Sequence, residues 1–375
     1  MPTPSELEQK LRELSLFPPT TMPVLSVYLD TQPDQRGRDR FEPFLRKELK
    51  LRENTYPLRS PERQSFERDI GRIMSWVENE LRPSSNGAAI FACAGANDFF
   101  EALQFDAPVQ GNQLYVYHQP HLYSLAKLHD QYRPYAAVVA DTNAARIFVF
   151  GLGRALETDT VTNPKVRARS IIGGWWLRRF QLKVENYHLR HGKQVLEHLE
   201  RIVRDEGIDR VVFAGDEVIL HILREQLTPF LANKVVDELK LDITAPQHEI
   251  FKATLEAMKK EDARTDAERV RAMIDAYRAG GLGAIGVHDV LAALANGQVD
   301  TLFISTGLEQ AHSGVEDVDS TLAPELKELP EAAGVRITDS LVSQAYQTGA
   351  EVRFIEDPEL LAGAEGVGAT LRYRL

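Results

Sequence analysis

Residues 171–182 read Ile-Ile-Gly-Gly-Trp-Trp-Leu-Arg-Arg-Phe-Gln-Leu, and a long basic helix is expected to follow them. Glycines permit backbone conformations and close approaches that other residues do not. Tryptophans stack on bases and arginines bind phosphates, so the segment is typical of an RNA-facing loop. The competing interpretation is a turn with buried tryptophans that precedes a surface helix.

Charge is unevenly distributed on either side of this segment. The 375 residues carry a net charge of −11, which argues against indiscriminate nucleic-acid binding. Residues 165–204 nevertheless contain ten Lys or Arg against three Glu, a net charge of +7, whereas residues 301–375 carry −8. A basic middle joined to an acidic end favours docking on RNA through one face, although a solvated helix face has the same composition.

Composition predicts a globular chain of two or three domains. Hydrophobic residues make up 43% of the sequence and charged residues 26%, as expected for packed cores. No apolar run reaches about 18 residues and the N-terminus is charged and amphipathic, so we expect no membrane span, no secretory signal and a cytoplasmic location. The single cysteine, Cys93, lies in an apolar run, which predicts a buried strand thiol rather than redox chemistry.

Hydrophobic periodicity predicts the α/β class, with domains at 1–130, 131–278 and 279–375. In the first domain it predicts strands at 24–29, 88–93 and 114–117 and helices at 41–52 and 61–81. The second of these helices collects apolar residues on one face: Phe66, Ile70, Ile73, Trp76 and Val77. An α/β unit of about 130 residues is therefore expected.

The central domain is predicted to open with a hairpin around Asp141-Thr142-Asn143. A helix from about Leu182 to Asp205 follows, then a strand at 210–214 and a helix after Gly215. The charged segment 247–278 is expected to bridge two domains as an exposed helix. Glycines end it, and a helix at 287–295 and a strand at 301–305 begin the small third domain.

Motifs for common chemistry are weak. Gly281, Gly283 and Gly286 match the dinucleotide-binding pattern, but that pattern requires a preceding strand and here a long helix precedes it, which favours a hinge. Glu185, His188 and His191 have helical spacing without a matching ligand cluster elsewhere, so no metal or other cofactor is expected. No phosphate-loop lysine motif and no Gly-x-Ser-x-Gly elbow are present, and the sequence offers no obvious catalytic set.

The arrangement resembles the archaeal and eukaryotic type of peptide chain release factor and its relative Pelota. In those factors a Gly-Gly-Gln loop is followed after three residues by Arg-Phe and a basic helix, and here Gly173-Gly174-Trp175 is followed by Arg179-Phe180. Residues 290–304 are similar to the helix and strand that open the family's C-terminal domain, and 366–373 resemble the end of its bacterial members. The resemblance implies three domains, with a central mixed sheet and a small C-terminal α-β-α sandwich.

Two departures from the family pattern bear on function. Trp175 replaces the glutamine that positions water at the peptidyl-tRNA ester, and an indole has no carbonyl and amide pair with which to orient water. Gln181 is the nearest substitute, although a polar residue near a helix start is an equally simple explanation for it. The Asn-Ile-Lys-Ser tetrapeptide of stop-codon recognition is absent, and residues 57–60 read Pro-Leu-Arg-Ser.

The resemblance therefore implies a ribosome-binding factor without termination chemistry, like Pelota and the Pelota-related bacterial hibernation factors called Balon. It implies that the chain occupies the A site, with the first domain at the decoding centre and residues 167–181 at the peptidyl transferase centre. A GTPase of the elongation factor Tu class is an implied partner, whereas DNA is not. The implied RNA-binding residues are Arg36, Arg38, Arg40, Arg167, Arg169, Gly173, Gly174, Trp175, Trp176, Arg178, Arg179, Gln181 and Lys183.

Alternatives remain at this stage. One is a peptidyl-tRNA hydrolase or release factor that uses Gln181, and another is a scaffold that binds protein away from the ribosome. For Arg36, Arg38 and Arg40, a plain solvated loop is as reasonable as an arm that enters an RNA channel.

Overall fold

A computed structural model describes residues 4–33, 39–152, 154–162, 174–308 and 332–374. The chain divides into two compact units. The outer unit combines Met1–Tyr132 with Ala263–Leu375, and the central unit is Arg133–Asp262. The described residues form three sheets, two of four strands and one of five. The mixed α/β class expected from the sequence is confirmed, and the division at 130 and 278 stays a prediction.

The N-terminal part of the outer unit is an antiparallel sheet with helices on it. Its elements are α1 Pro4–Ser15, β1 Val24–Asp30, α2 Phe41–Glu53, α3 Pro61–Asn79, β2 Gly87–Cys93, β3 Phe99–Phe105, β4 Gln113–Tyr117 and α4 Tyr123–Gln131. The strand order is β3-β2-β1-β4, and every pairing is antiparallel. Pro61 and the Ser60 hydroxyl, which accepts from the Arg63 amide, start α3 as a proline at the first position and an N-cap do.

Side chains of β1, β2, α2 and α3 form one core. Leu25, Val27 and Leu29 alternate along β1 onto the face that packs against Phe66 and Ile73 of α3. The predicted inward face of α3 is confirmed, with Ile70 partly buried and the other four residues buried. Cys93 ends β2 as a buried thiol, as predicted, and burial raises its pKa.

Three elements of this part are missing from the sequence prediction: α1, β3 and α4. Five of the seven residues of β3 are half-buried, and its sequence has no clear alternation of apolar and polar residues. Helix α4 ends with a turn that contains His129.

The C-terminal part of the outer unit is a mixed sheet covered by helices. Its elements are β10 Gly283–Ile285, α9 Val287–Ala295, β11 Val299–Ser305, α10 Ala332–Thr348, β12 Glu351–Ile355, a 3-10 helix Pro358–Ala364 and β13 Val367–Leu371. The strand order is β10-β13-β11-β12, with β11 and β12 parallel. Gly283 has no room for a side chain, because a Cβ there would lie 2.5 Å from the Met273 carbonyl oxygen. Close packing therefore explains a glycine of the apparent dinucleotide pattern.

The last residues of the described chain cap the C-terminal ends of helices. Arg372 donates to the carbonyl oxygens of Thr348 and Gly349 at the end of α10. The Tyr373 hydroxyl donates to Asn296 after α9, and Arg374 donates to Gly280 after α8 (Gln247–Arg278). Helix ends leave carbonyl oxygens unpaired and carry partial negative charge, which these groups satisfy.

Arg353 of β12 connects distant parts of the outer unit. Its side chain is 4% exposed and donates to the Asp266 carboxylate at 2.6 Å, and it lies 3.8 Å from that of Asp130. The other Asp130 oxygen accepts from the Phe354 amide at 2.8 Å. The end of α4, the second half of α8 and β12 therefore share one buried ion network.

The central unit has a five-stranded mixed sheet between two helical layers. Its elements are β5 Tyr135–Ala140, β6 Ala144–Gly151, β7 Arg154–Thr162, α5 Gly174–Asp205, β8 Val211–Gly215, α6 Glu217–Glu225, α7 Pro229–Ala232, β9 Val235–Leu239 and the first half of α8. The order is β7-β6-β5-β8-β9, antiparallel on the β7 side of β5 and parallel on the β9 side. The predicted central mixed sheet is confirmed.

One face of this sheet packs against α5, α6 and α7, and the other packs against α8 through Ile250 and Met258. Helix α8 has the predicted bounds, but the expectation of an exposed helix is wrong. Its apolar residues recur often enough to bury one face, and Val270 and Met273 are buried as well. A second correction concerns α5, which begins at Gly174 and not near Leu182, because helix-forming Leu, Arg and Gln residues fill the intervening turns.

Replacement of Arg353 by Met is predicted to lower the free energy of unfolding by about 3–5 kcal/mol, because the carboxylates of Asp266 and Asp130 stay buried without their arginine. Urea unfolding of the full chain measures this. The control is Arg269→Met, which removes a 4.0 Å pair with Glu351 at a half-exposed site and is expected to cost at most about 1 kcal/mol. Equal losses in the two variants contradict the importance of the buried network.

Replacement of Asp69 by Asn tests a buried carboxyl group in α3. Asp69 accepts from the Ala94 amide at 2.8 Å, and burial raises its pKa from 3.8 to about 6. The folded state therefore binds the proton more tightly, and this group costs the parent protein stability as the pH rises from about 4 to about 6. Stability of the variant relative to the parent should rise by up to about 3 kcal/mol across that window.

The relative measurement is needed because the buried His121 ring, whose pKa burial lowers to about 3, has the opposite effect in the same window. Folding then favours the neutral ring, so stability is lost as the pH falls below about 6.5. The exposed Asp98→Asn variant is the control. A difference between Asp69→Asn and the parent that does not change with pH shows the prediction to be wrong.

Candidate nucleic-acid interface

Most of the predicted RNA-binding residues lie at or before the start of α5. Arg36, Arg38, Arg167, Arg169 and Gly173 lie outside the described residues. Gly174 is the first residue of α5. The positions of the other predicted residues in this region fall in its first three turns: Trp175, Trp176, Arg178, Arg179, Gln181 and Lys183. These positions belong to a helix rather than the expected loop.

Arg40 is the one predicted RNA-binding residue with a described side chain. It is exposed and occupies the N-cap position of α2. The structure places it in the outer unit, whereas α5 belongs to the central unit.

The described part of α5, from residue 186 onward, has two distinct faces. The inner face packs on the sheet with buried apolar side chains, among them Val195, Leu199 and Val203. Gly192 permits close contact with α6, since a Cβ there would lie 2.7 Å from Cγ2 of Ile222. The outer face carries exposed Arg190, Lys193, Glu197, Arg201 and Arg204. Residues three, four or seven apart share a helix face, so these five form a single line.

We call Arg190, Lys193, Arg201 and Arg204 the cationic stripe. Lys193 lies 3.8 Å from Glu197, and Arg204 donates to Glu200 at 2.6 Å while it covers the Phe230 ring. Arg190 and Arg201 have no hydrogen bond or ion pair within the described part of the chain. The stripe therefore holds two guanidinium groups that are free to bind an anion, each beside a second cation whose charge is partly balanced.

The stripe continues toward the predicted loop residues. Helix positions 179 and 183 precede Arg190 by eleven and seven residues, which puts them on the same side of α5. At 1.5 Å per residue, the line from position 179 to Arg204 is about 37 Å long. Sequence reasoning missed the part beyond Lys183, although the three- and eight-residue intervals between its cations were visible in the sequence.

His191 fixes α5 against the β5–β6 hairpin. The hairpin turn is held by Asp141, whose Oδ1 accepts from the amides of Asn143 and Ala144 at 2.7 Å. The His191 side chain is buried and bonds to the backbone of Ala144 and Asp141. Burial lowers its pKa, and these backbone groups oppose that shift without cancelling it. The ring is therefore a neutral anchor for the helix.

Other chemistry has little support among the described residues. No group of three or more His, Cys, Asp or Glu in that part of the chain could hold a metal ion. A surface pocket of about 290 Å³ beside α6 is lined by Glu217, His221, Arg224, Glu238 and Lys240 among others. Its charges already pair, since Arg224 bonds to Glu238 and Lys240 lies 3.9 Å from Glu217. No helix of the described chain is long and apolar enough to cross a bilayer.

Comparison with known families finds one match, which places the central part of the chain among proteins similar to release factors of the archaeo-eukaryotic type. Residues 120–259 match the model of bacterial archaeo-eukaryotic release factor family 10. The resemblance of the central domain is therefore confirmed, and the closer likeness to Balon stays a prediction. No curated protein sequence matches the chain.

The chain also has remote similarity to solved structures. They include archaeal translation termination factor aRF1, at 19% identity over 99% of both chains with a TM-score of 0.27. Dom34 from S. cerevisiae matches at 8% identity over 77% of this chain and 79% of its own, with a TM-score of 0.43. A ribosome-bound archaeal Pelota matches at 14% identity over 98% and 94%, with a TM-score of 0.39. At these values the matches carry no argument about function.

The His191→Gln variant tests the anchor. Because the pKa of His191 is lowered in the folded state, its neutral form stabilises the fold above the ordinary value of 6.5, and this contribution is lost as the pH falls below it. Thermal unfolding at pH 7.5 and 5.5 should show a smaller drop in the variant than in the parent. His221→Gln, at a side chain 64% exposed, is the control and should behave as the parent does. Equal drops in all three proteins contradict the anchor.

Proposed function

We propose that the protein is a ribosome-binding translation factor. The observation that carries the proposal is the family 10 release-factor match over residues 120–259, a region whose longest helix exposes a line of cationic side chains. Phosphate contacts supply most of the affinity of proteins for RNA. Because the chain as a whole carries a net charge of −11, attraction to phosphates has to come from a local group of cations such as this line.

The proposed binding site is the ribosomal A site, and the proposed purpose is hibernation or rescue of ribosomes. Trp175 stands where a release factor has its glutamine, and an indole cannot hold a water molecule between a carbonyl and an amide. Ordinary peptide release is therefore not part of the proposal. Stop-codon decoding is not part of it either, since residues 57–60 do not form the family tetrapeptide.

Roles for the predicted residues follow from their chemistry. Gly173 and Gly174 allow close backbone approach to RNA, and Trp175 and Trp176 stack on rRNA bases or the tRNA end. The remaining predicted residues of this region are proposed to contact phosphates: Arg167, Arg169, Arg178, Arg179 and Lys183. In the outer unit, Arg36, Arg38 and Arg40 are proposed to contact RNA at the decoding centre.

Two further parts of the proposal concern the cell. A GTPase of the elongation factor Tu class is proposed as a delivery partner, and the cytoplasm is the proposed location because ribosomes act there. Both rest on the resemblance to Pelota-type factors.

Co-sedimentation with bacterial ribosomes tests the proposal. The purified full chain is centrifuged through sucrose with vacant ribosomes and with ribosomes that carry peptidyl-tRNA, at about 50 and 200 mM salt. We expect it to pellet with vacant ribosomes, to be lost at the higher salt and to free no peptide. A chain that pellets with neither kind of ribosome contradicts the proposal and favours a scaffold away from the ribosome.

The Gln181→Ala variant separates ribosome occupancy from hydrolysis. Under the proposed function it pellets as the parent does. If the parent frees peptide and the variant does not while it still pellets, Gln181 acts in hydrolysis and the protein is a peptidyl-tRNA hydrolase. Trp175→Ala is the companion variant, since loss of a stacked base should weaken binding by about 1–3 kcal/mol without any effect on release.

A further inference from the structure

We propose that the cationic stripe of α5 binds phosphates of double-stranded RNA, as a contact separate from the Gly-Gly-Trp segment. The inference adds a class of RNA to the proposed function. It rests on that function in one respect, the identification of the duplex as ribosomal RNA. Arg190 and Arg201 are its central residues, with Lys193 and Arg204 beside them.

The stripe is presented by a rigid helix. Val195, Leu199 and Val203 bury the opposite side of α5, and the buried His191 bonds to the hairpin turn. Side chains on such an element lose less freedom on binding than side chains on a loop. A rigid line of cations suits a partner whose charges are also fixed in space, and the phosphates of a duplex are fixed in that way.

The charges of the stripe are available. Exposed helix faces commonly pair each cation with an acid four residues away, and here Glu197 and Glu200 are already engaged. Glu200 accepts from Arg204 and also from the Thr228 hydroxyl at 2.9 Å. Arg190 and Arg201 keep their full complement of donors within the described structure, and a guanidinium group binds phosphate through two parallel hydrogen bonds.

The spacing favours two separate contacts. Arg190 and Arg201 are eleven residues apart, which is three helical turns, so both lie on the same side of α5 about 16 Å from each other. Neighbouring phosphates of one strand advance by only about 3.4 Å along a DNA duplex, and by less along an A-form RNA duplex. The two arginines therefore bind distant phosphates, as a helix does when it spans a groove and contacts both strands.

The composition of the stripe argues against other partners. Proteins that bind single-stranded RNA combine cations with aromatic side chains on which bases stack. None of the exposed residues on the described part of α5 is aromatic, and Tyr187 is only partly exposed. A membrane-surface helix buries a row of apolar residues, whereas Leu189 is the single large apolar residue exposed on the described part of α5. Phosphates of duplex RNA fit a face that offers charge and hydrogen-bond donors alone.

Fluorescence anisotropy with a labelled RNA duplex of about 16 base pairs tests the inference. The full chain is titrated between about 50 and 200 mM salt, in parallel with one labelled strand of the same duplex. The test variant is Arg190→Glu/Arg201→Glu. The matched control is Lys259→Glu/Lys260→Glu, which changes the net charge equally at two exposed positions of α8 in the same unit.

The test variant should raise the Kd for the duplex by about tenfold or more and lower the slope of log Kd against log salt by about two. The control should stay within about threefold of the parent. Because Glu at position 201 stands four residues from Glu197, Arg190→Gln/Arg201→Gln is included, and it should weaken binding less but in the same direction. Circular dichroism confirms that each variant is folded.

Three results overturn the inference: no duplex binding by the parent, equal losses in the test and control variants, or single-strand binding at least as tight as duplex binding with the same response to the variants. Sedimentation with ribosomes is scored separately. A parent that binds the duplex through the stripe but does not pellet with ribosomes refutes the proposed function alone. If the parent pellets with ribosomes but the Arg190→Glu/Arg201→Glu variant binds the duplex as tightly as the parent does, this inference alone is refuted.

Discussion

The outer unit depends on the buried contact of Arg353 with Asp266 and Asp130. Burying three charges costs several kcal/mol per ion, so they persist there only because each satisfies another. The Phe354 amide donates to Asp130, which is 224 residues away along the chain, and the network therefore joins helix α4 to strand β12 of the second sheet. Residues 1–132 and 263–375 form one compact unit although the central unit lies between them in sequence, and α1 and α4 also pack against α10. At the end of the described chain, hydrogen bonds to the carbonyl oxygens of three helix ends add to the contacts within this unit. They come from Arg372, Tyr373 and Arg374.

In the central unit, neutral groups hold helix α5 in place. Helix α5 is long and polar on one side, and its position is set by apolar packing and by a buried histidine on the backbone of a tight turn. The outer face of α5 remains exposed. Arg190 and Arg201 stand on that face without a hydrogen bond or ion pair in the described part of the chain, and their spacing makes them a candidate interface.

Local patterns in the sequence were sufficient for much of the fold. The turn at Asp141-Thr142-Asn143, the inward face of α3 and the bounds of α8 follow from turn chemistry and periodicity. The start of α5 was predicted near Leu182 because the glycines and tryptophans before it are typical of a loop. The helix propensity of the residues that follow Gly174 was given too little weight. The partners of Arg353 and the anchor at His191 join residues distant in sequence, and no periodicity encodes such pairs. For the candidate site, the excess of Lys and Arg in residues 165–204 identified the region in the sequence. The structure of helix α5 was needed to show which of these cations share a face.

The acidic remainder of the chain has a consequence for that face. A protein of net charge −11 is repelled by RNA at long range, and at physiological salt this repulsion fades beyond a Debye length of about 8 Å. Contacts within the stripe act at shorter distances, where paired phosphates and guanidinium groups displace counterions. In the proposed duplex contact, the outer face of α5 is the surface that meets the RNA, since residues 301–375 carry a net charge of −8. In the proposed contact the uneven charge would orient the protein on the RNA, whereas a uniformly basic chain of the same affinity would bind without that selection.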